Sequence, residues 1–346
     1  MAVDRIISSQ SGGPEEERQN WSLRPTCLAE YIGQRELVER IVIAVEAARQ
    51  REEPVEHLLL HGPPGLGKTT LAHVVANEMG VGCYVTAGPA LTRGADLVGT
   101  LTKLQPRDVL FIDEIHRLPV AVEEYIYPAM EDFRVDVQVD SGLNARTVHI
   151  PIKPFTLIGA TTRAGLITSP LRARFGLTHN LRFYEVEDLL AILRRSCSLL
   201  GLGETSDDPL RTIAGRSRGT PRIANRLLRR VRDYAQVRAD GAISAEIVTE
   251  ALKLEGVDEL GLDELDRSYL RVIATTYEGG PVGLEAIAAT LGEDSQTLED
   301  VVEPYLLQVG FLARTRRGRQ LTAAGAAHIG ATIKPDETLF AGEDSA

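Results

Sequence analysis

The sequence predicts an α/β protein built on a parallel sheet, then an all-helical region, then a small domain of short helices with a terminal hairpin. Three observations predict this. The apolar runs Leu58–Leu60, Val109–Ile112 and Thr156–Ala160 have the length of buried strands and alternate with stretches of helical spacing. From Glu187 to Leu254 the pattern is helical throughout. After Asp263 come three short helical patterns and a pair of short strands broken at Gly318.

At 346 residues the chain is long enough for two or three domains, because single cores seldom grow beyond about 250 residues. No apolar run approaches the roughly 18 residues of a membrane span, and the N-terminal stretch has no signal-peptide core. The expected location is the cytoplasm. Cys27, Cys83 and Cys197 form no C-x-x-C pair and read as reduced structural thiols. The formal net charge of −11 excludes a protein that coats nucleic acid through its overall field. Any nucleic-acid contact must be local.

Residues 1–20 are rich in Gly, Ser, Gln and Glu and predict a mobile tail. Trp21 to Gln34 then leads into a helical pattern over Glu36–Arg51, with Leu37, Ile41, Ala44, Val45 and Ala48 on one face. This segment either packs as scaffold or folds back over a bound base.

The chemical centre is Gly62-Pro63-Pro64-Gly65-Leu66-Gly67-Lys68-Thr69, a complete G-x-x-x-x-G-K-[ST] between the strand Leu58–Leu60 and a helical pattern ended by Gly80. A polyphosphate needs many N–H donors at close range, and glycines let the backbone approach it. The following helix adds its positive end, Lys68 reaches the β/γ-phosphates, and Thr69 supplies a hydroxyl to Mg²⁺. The motif predicts a nucleoside triphosphate site.

Forty-five residues after Lys68, the strand Val109–Ile112 ends in Asp113-Glu114. Open α/β sheets bind ligands at that edge. Asp113 is placed to hold Mg²⁺ through water, and Glu114 to orient and deprotonate an attacking water. The strand from Thr156 ends in two hydroxyls, Thr161 and Thr162, either of which suits the γ-phosphate or that water. Ser169-Pro170 predicts a helix start with Ser169 as its cap, carrying Arg172 and Arg174.

Between these strands, Val135, Val137 and Val139 alternate with polar residues, residues 141–145 can turn, and Val148, Ile150 and Ile152 alternate on the return. That predicts an inserted hairpin over 134–152. It is scaffold if its apolar face packs on the body, and a docking surface if it projects.

The helical region divides into Leu189–Leu200, Pro209–Ser217, Thr220–Val237 and Ser244–Leu254, and the acidic stretch Gly256–Asp263 reads as a linker. Beyond it, the short helices and a hairpin tipped by Arg314, Arg316, Arg317 and Arg319 predict a winged helix-turn-helix. From Gly256 to Ile333 there are six basic residues against twelve acids, and four of the six lie within six positions. Phosphate contact requires such clustering. Residues 336–346 read as a disordered acidic end.

Taken together, LRP…EYIGQ, HGPPGLGKTTLA, FIDEIHRL, YPAMEDF, IGATTRAGLITSPLRARFG, RGTPRIANRLLRRVRDYA, GGPVGLEAIA and VEPYLLQVGFLARTRRGR resemble the RuvB family. That family is the AAA+ ring motor that drives Holliday-junction branch migration in bacteria, and the likeness runs from about Leu23 to about Thr332. It implies an AAA+ P-loop NTPase core over 21–183, a small helical lid over 184–256 and a winged-helix DNA-binding domain over 257–335. It also implies ATP and Mg²⁺, a homo-hexamer around duplex DNA, and the partners RuvA and RuvC, with RuvA docking on the hairpin 134–152.

Residue by residue, the likeness makes Arg174 an arginine finger acting in a neighbouring subunit. It makes Thr162, or in the alternative Thr161, the first sensor, and Arg222 the second. It places Leu23, Arg24 and Tyr184 around adenine and the lid hinge, and Gly65, Gly67, Lys68, Thr69, Thr70 and the stretch Glu131, Asp132, Phe133 about the nucleotide. Arg314 and Arg319 match DNA-contacting arginines of the wing. A third such position is Ser295 here, which implies one phosphate contact fewer and a weaker intrinsic hold on DNA, offset by RuvA or by Arg316 and Arg317.

Two rival functions share part of the pattern. A protein-remodelling AAA+ ATPase would carry the same phosphate-loop chemistry without using the basic wing on DNA. A nucleotide-gated DNA-binding regulator would sense ATP without turning it over, against which stand Glu114 and Arg174.

Overall fold

The computed structural model describes residue 7 and residues 21–138, 147–203 and 205–332. The readings of 1–20 and 336–346 as tails, and the turn of the hairpin over 139–146, lie outside the described residues, except Ile7, which is buried. The chain forms two compact units: one comprises Gly12–Gly201 and Gly219–Arg222, and the other Met1–Ser11, Leu202–Arg218 and Ile223–Ala346.

The first unit is built on five parallel strands, β1 (Leu58–His61), β2 (Cys83–Ala87), β3 (Val109–Asp113), β6 (Thr156–Thr161) and β7 (Leu177–Asn180), in the order β2-β3-β6-β1-β7. Central strands buried on both faces must be apolar along their whole length. β3 is buried from Val109 to Ile112, and β6 along its six residues. Register decides what meets at the sheet edge: His61 pairs with Thr161, Leu60 with Ala160, and Ile112 with Gly159. The loop after β1, the acids after β3 and the hydroxyls after β6 therefore emerge side by side.

The helix Lys68–Met79 begins at the loop and stops at Gly80, whose left-handed backbone lets its N–H close back on the carbonyls of Ala76 and Asn77. Helix Arg35–Arg51 buries Leu37, Ile41, Val45 and Ala48, leaving Ala44 off the buried face. The helix cap after β6 is Thr168 rather than Ser169: its extended backbone lets its hydroxyl accept from the Leu171 N–H, which puts Ser169 and Pro170 in the first turn of Ser169–Ala173.

The inserted hairpin pairs β4 (Arg134–Gln138) with β5 (Thr147–Pro151), Val135 opposite Ile150 and Val137 opposite Val148. Packing on the body holds for its base. Val135 and, beyond β5, Ile152 are buried in the same core as Phe155 and Met130 and anchor the base, whereas Val148 is 44% exposed. Among the described residues the hairpin is rooted at its base, while Thr147–His149 are exposed.

The second unit contains helices Asp207–Gly215, Ala245–Leu254, Glu264–Thr275, Leu284–Leu291 and Ala323–His328, with the greater part of Pro221–Arg238. A helical run from Ser295 to Gln308 includes a π segment over Leu298–Val302. The terminal hairpin pairs β8 (Leu312–Thr315) with β9 (Gly318–Leu321), and Val282 bridges to Arg319 as a third short rung. The stretch Gly256–Asp263 forms no helix or strand, as a linker should, and is held in place. Arg267 donates to the carbonyls of Gly256 and Leu262, Leu262 is buried, and Asp263 caps the helix Glu264–Thr275.

Gly318 opens β9 with a φ of +140°, and a Cβ there would run into the Val282 carbonyl. Gly318→Ala is expected to cost about 1–3 kcal/mol from backbone strain, plus the lost rung. Calorimetric unfolding of the full chain checks this, with the loss confined to the transition of the second unit.

Candidate nucleotide site and nucleic-acid face

The loop Gly62–Gly67 turns on three glycines with positive φ, at 138°, 80° and 98° for Gly62, Gly65 and Gly67. Gly67 caps the helix Lys68–Met79, and a side chain there would come within 2.9 Å of the Tyr31 hydroxyl. The Tyr184 hydroxyl lies 3.3 Å from both that oxygen and the Leu66 carbonyl. Two buried phenols thus clasp the loop from the side. Burial pushes the Tyr31 hydroxyl up to about 12 and Tyr184 well above its ordinary value, so both stay protonated.

Lys68 is 7% exposed, and its ammonium donates to the carbonyls of Gly62 and Pro63, each at 2.8 Å. Burial lowers its pKa to about 8; Asp113 opposes the shift and Arg222 adds to it. Asp113 and Arg222 are therefore each close enough to act on the Lys68 charge. Arg222 arrives with Gly219, whose carbonyl accepts from the Tyr184 N–H at 2.8 Å.

Asp113 Oδ1 accepts from the Glu114 N–H at 2.9 Å. Glu114 itself is left-handed, with φ of 47°, a costly conformation for a residue with a side chain. Its carboxylate accepts from Arg117 at 2.9 Å. Thr161 is buried; its hydroxyl sits 2.9 Å from His116 Nδ1 and accepts from the Arg163 N–H at 2.9 Å, while Thr162 is exposed beyond the strand.

The segment before the sheet packs on the phosphate-loop helix. Leu28 N–H donates to Glu78, and Asn77 donates to the Thr26 carbonyl. Leu23 is buried, and Arg24 lies 4.7 Å over the Trp21 ring, which meets His73 edge-on at 4.6 Å. Arg195 holds Leu23 and Arg24 by donating to both carbonyls, at 2.7 and 3.3 Å.

Arg174 follows the helix Ser169–Ala173 as its C-cap. Its guanidinium lies 4.3 Å over the Tyr127 ring, donates to the Pro170 carbonyl at 2.8 Å and pairs with Glu131 at 3.2 Å. The stretch Glu131–Phe133 thereby acquires a side-chain role that spacing alone did not suggest. Asp132 pairs instead with Arg134 at 3.2 Å, and Phe133 packs on Phe155. Among the described residues nothing joins Arg174 to the group around Lys68.

In the second unit, Arg314 and Arg319 share one carboxylate, that of the fully buried Glu303. Each Nε donates to it at 2.8 Å, and the Tyr269 hydroxyl donates at 2.7 Å. Burial pushes the Glu303 carboxyl up, but donation from Arg319, Tyr269 and Arg314 outweighs it and holds the group below the ordinary carboxylate range. Arg316 and Arg317, at the tip, are exposed and make no ion pair among the described residues.

Three RuvB family models match the chain nearly end to end. They are the Holliday junction DNA helicase RuvB P-loop domain over residues 23–181, the RuvB AAA lid domain over 184–258 and the RuvB C-terminal winged helix domain over 259–330. The chain belongs to the RuvB family. A Nostoc relative, a Holliday junction branch migration complex subunit RuvB, is 54% identical over 336 residues, 97% of this chain and 91% of that one. The solved Thermotoga maritima RuvB Holliday junction branch migration motor superposes with a TM-score of 0.82 at 49% identity, covering 90% of this chain and 100% of that one. A mutant of the same Thermotoga maritima protein gives 0.83 at the same identity, over 90% of this chain and 99% of its own. The expected fold class, a P-loop core on a parallel sheet with a helical lid and a winged helix, is the one found.

Tyr31, Arg195, Arg117, Glu123 and Glu303 were not singled out by sequence. Arg117 had a usable signal, being three residues after Glu114; the others meet their partners from distant positions.

Two outcomes follow from these charges. The folded-state pKa of Lys68 lies below its unfolded value of about 10.4, so the unfolded chain binds more protons between pH 8 and that value. The burial penalty is full below pH 8 and is relieved as pH rises. Nucleotide-free wild type is therefore expected to gain stability relative to Lys68→Met between pH 8 and 10, read by denaturant titration. For Glu303 the folded pKa is depressed, so its stabilisation is present above the unfolded carboxylate value and lost on acidification. Glu303→Ala strands two guanidiniums and is expected to cost about 3–5 kcal/mol at neutral pH, with a smaller difference from wild type at acid pH, in unfolding measured across that range.

Proposed function

We propose that the chain is an ATP-hydrolysing motor that drives branch migration of Holliday junctions in recombination and repair, working in the cytoplasm. The observation that carries this reading is the buried Lys68 of the phosphate loop lying within electrostatic reach of both Asp113, at the end of a central strand, and Arg222. The same chain ends in an arginine-tipped wing. The names of the similar proteins point the same way.

In this reading the N–H groups about Gly65, Gly67, Lys68, Thr69 and Thr70 cradle the phosphates, and Lys68 and Arg222 offset their charge. Leu23, Arg24 and Tyr184 lie about the base and hinge, and Glu131, Asp132 and Phe133 complete the nucleotide surroundings. The attacking water is oriented by Glu114, which takes its proton as the new P–O bond forms and the bond to the β-phosphate oxygen breaks. For that, Glu114 must leave Arg117, an exposed pair that costs little to break. Thr162, or Thr161 through its link to His116, registers the γ-phosphate. Arg174 acts on a neighbouring subunit's nucleotide.

Mg²⁺ fits the residues present: Thr69 and Asp113 offer hard oxygen donors, and Asp113 lies within electrostatic reach of Lys68, where the phosphates would sit. When bound, the ion would neutralise phosphate charge.

The domain limits proposed are 21–183 for the ATPase core, 184–256 for the lid and 257–335 for the winged helix. The assembly is a homo-hexamer on duplex DNA, with RuvA on the hairpin 134–152 and RuvC in the same complex. The exposed face at Val148 supports that docking. Arg314, Arg316, Arg317 and Arg319 contact phosphates, with Ser295 leaving one contact fewer.

The test is ATP-driven migration of a synthetic four-way junction, with and without RuvA. Glu114→Gln and Arg174→Ala are each expected to abolish migration and lower ATP turnover by at least about 100-fold. Vigorous hydrolysis without migration would instead favour a protein-remodelling ATPase.

A further inference from the structure

Arg174 rests on a support that ends in one buried carboxylate. The guanidinium lies 4.3 Å from the centroid of the Tyr127 ring, within the range of a cation–π contact. The Tyr127 hydroxyl donates to Glu123 Oε2 at 2.8 Å, and the Thr168 hydroxyl donates to the same oxygen at 2.7 Å. Thr168 is the cap of the five-residue helix that ends at Arg174. One carboxylate therefore holds both the ring under the guanidinium and the start of the helix that carries it.

Glu123 is 3% exposed and has no ion pair among the described residues. A buried carboxylate without a counter-cation is unfavourable unless its hydrogen bonds are strong, and charge-assisted hydroxyl donors are. Packing of the helix Val120–Glu131 requires no charge at this position, since Val122, Ile126, Ala129 and Met130 already fill the core from it. The acid is explained by what it orders.

Arg174 also donates to the Pro170 carbonyl of its own helix at 2.8 Å, and its pair with Glu131 sits at the rim, where the carboxylate is 53% exposed. Such a pair is weak and exchangeable. A phosphate oxygen can displace Glu131 while the ring contact and the helix cap stay in place.

We propose that Tyr127 and Glu123 are positioning residues for Arg174, setting the direction in which its guanidinium is presented to the nucleotide of a neighbouring subunit. The proposal rests on the assignment of Arg174 as an arginine acting between subunits. It restricts the finger to a narrow set of directions before any neighbour is met, so that little orientational freedom is lost when the phosphates are engaged.

The experiment measures steady-state ATP hydrolysis by the full chain on duplex DNA, with fluorescent-ATP binding in parallel, for wild type, Tyr127→Phe, Tyr127→Leu, Glu123→Gln, Arg174→Ala and Tyr127→Leu/Arg174→Ala. Tyr127→Leu is expected to lower kcat about tenfold with KM and nucleotide affinity within twofold. Tyr127→Phe, which keeps the ring and loses the hydroxyl, should fall between, and Glu123→Gln should match it. Because the effect passes through the guanidinium, Tyr127→Leu should add nothing in the Arg174→Ala background.

A tenfold loss of equal size in that background, or Tyr127→Leu turning over within twofold of wild type while Arg174→Ala is inactive, overturns the proposal and leaves the assignment of Arg174 standing. Wild-type turnover by Arg174→Ala overturns both. Should Tyr127→Leu fail to fold, Glu123→Gln alone and combined with Arg174→Ala carries the same comparison.

Discussion

The nucleotide site is arranged around an ammonium taken out of water. Lys68 is buried at the start of a helix whose own N-terminal end is positive, and its neighbour Arg222 adds a second positive charge. Two loop carbonyls and Asp113 are what the protein sets against this. The arrangement is unfavourable by itself and becomes favourable when a polyphosphate brings its anions, which is the condition for a site that takes up a highly charged ligand. The remaining features keep the loop in this state. The glycines allow the backbone to turn without side chains in the way, Tyr31 and Tyr184 clasp it from the side, and Thr161 ties it to the next strand through its carbonyl contact with Gly62.

The same problem, holding a cation in a fixed place, is solved repeatedly with acids and rings. Arg174 has Tyr127 and Glu131, Arg314 and Arg319 have Glu303, and Arg218 is buried against Asp266 with Tyr305 stacked on it. This resolves an apparent conflict in the composition. A net charge of −11 looks unsuited to a basic wing, yet several of the acids lie against the arginines they hold. On the wing the carboxylate of Glu303 is entirely buried while Arg314 is 43% exposed. The acid is turned inward, and the guanidinium keeps a face toward solvent.

Much of the architecture is legible in the sequence. Strands buried on both faces must be apolar, and loops that admit phosphate must be glycine-rich, so β1, β3, β6 and the phosphate loop announce themselves in the local order of residues. The misjudged cap is a place where two local solutions compete. Thr168 and Ser169 can each cap the same helix, and the backbone chose the residue whose hydroxyl reaches the Leu171 N–H. The stretch Gly256–Asp263 has the composition of a linker, and Arg267 bonds that linker in place from the following helix. Composition does not record such a bond.

Sequence by itself determined the fold class, the phosphate loop, the Asp113-Glu114 pair and the basic tip of the wing, because each depends on neighbours within one strand, turn or helix. Tertiary structure alone decided how the charges are held. Arg195 reaches Leu23 across 172 positions and Glu303 is shared between two arginines of the wing. Glu123 meets Thr168 at a separation of 45 and brings Tyr127 beneath Arg174. An ionic or hydroxyl contact acts over a few ångströms regardless of the chain between its partners, so local order carries no trace of it until the chain is folded.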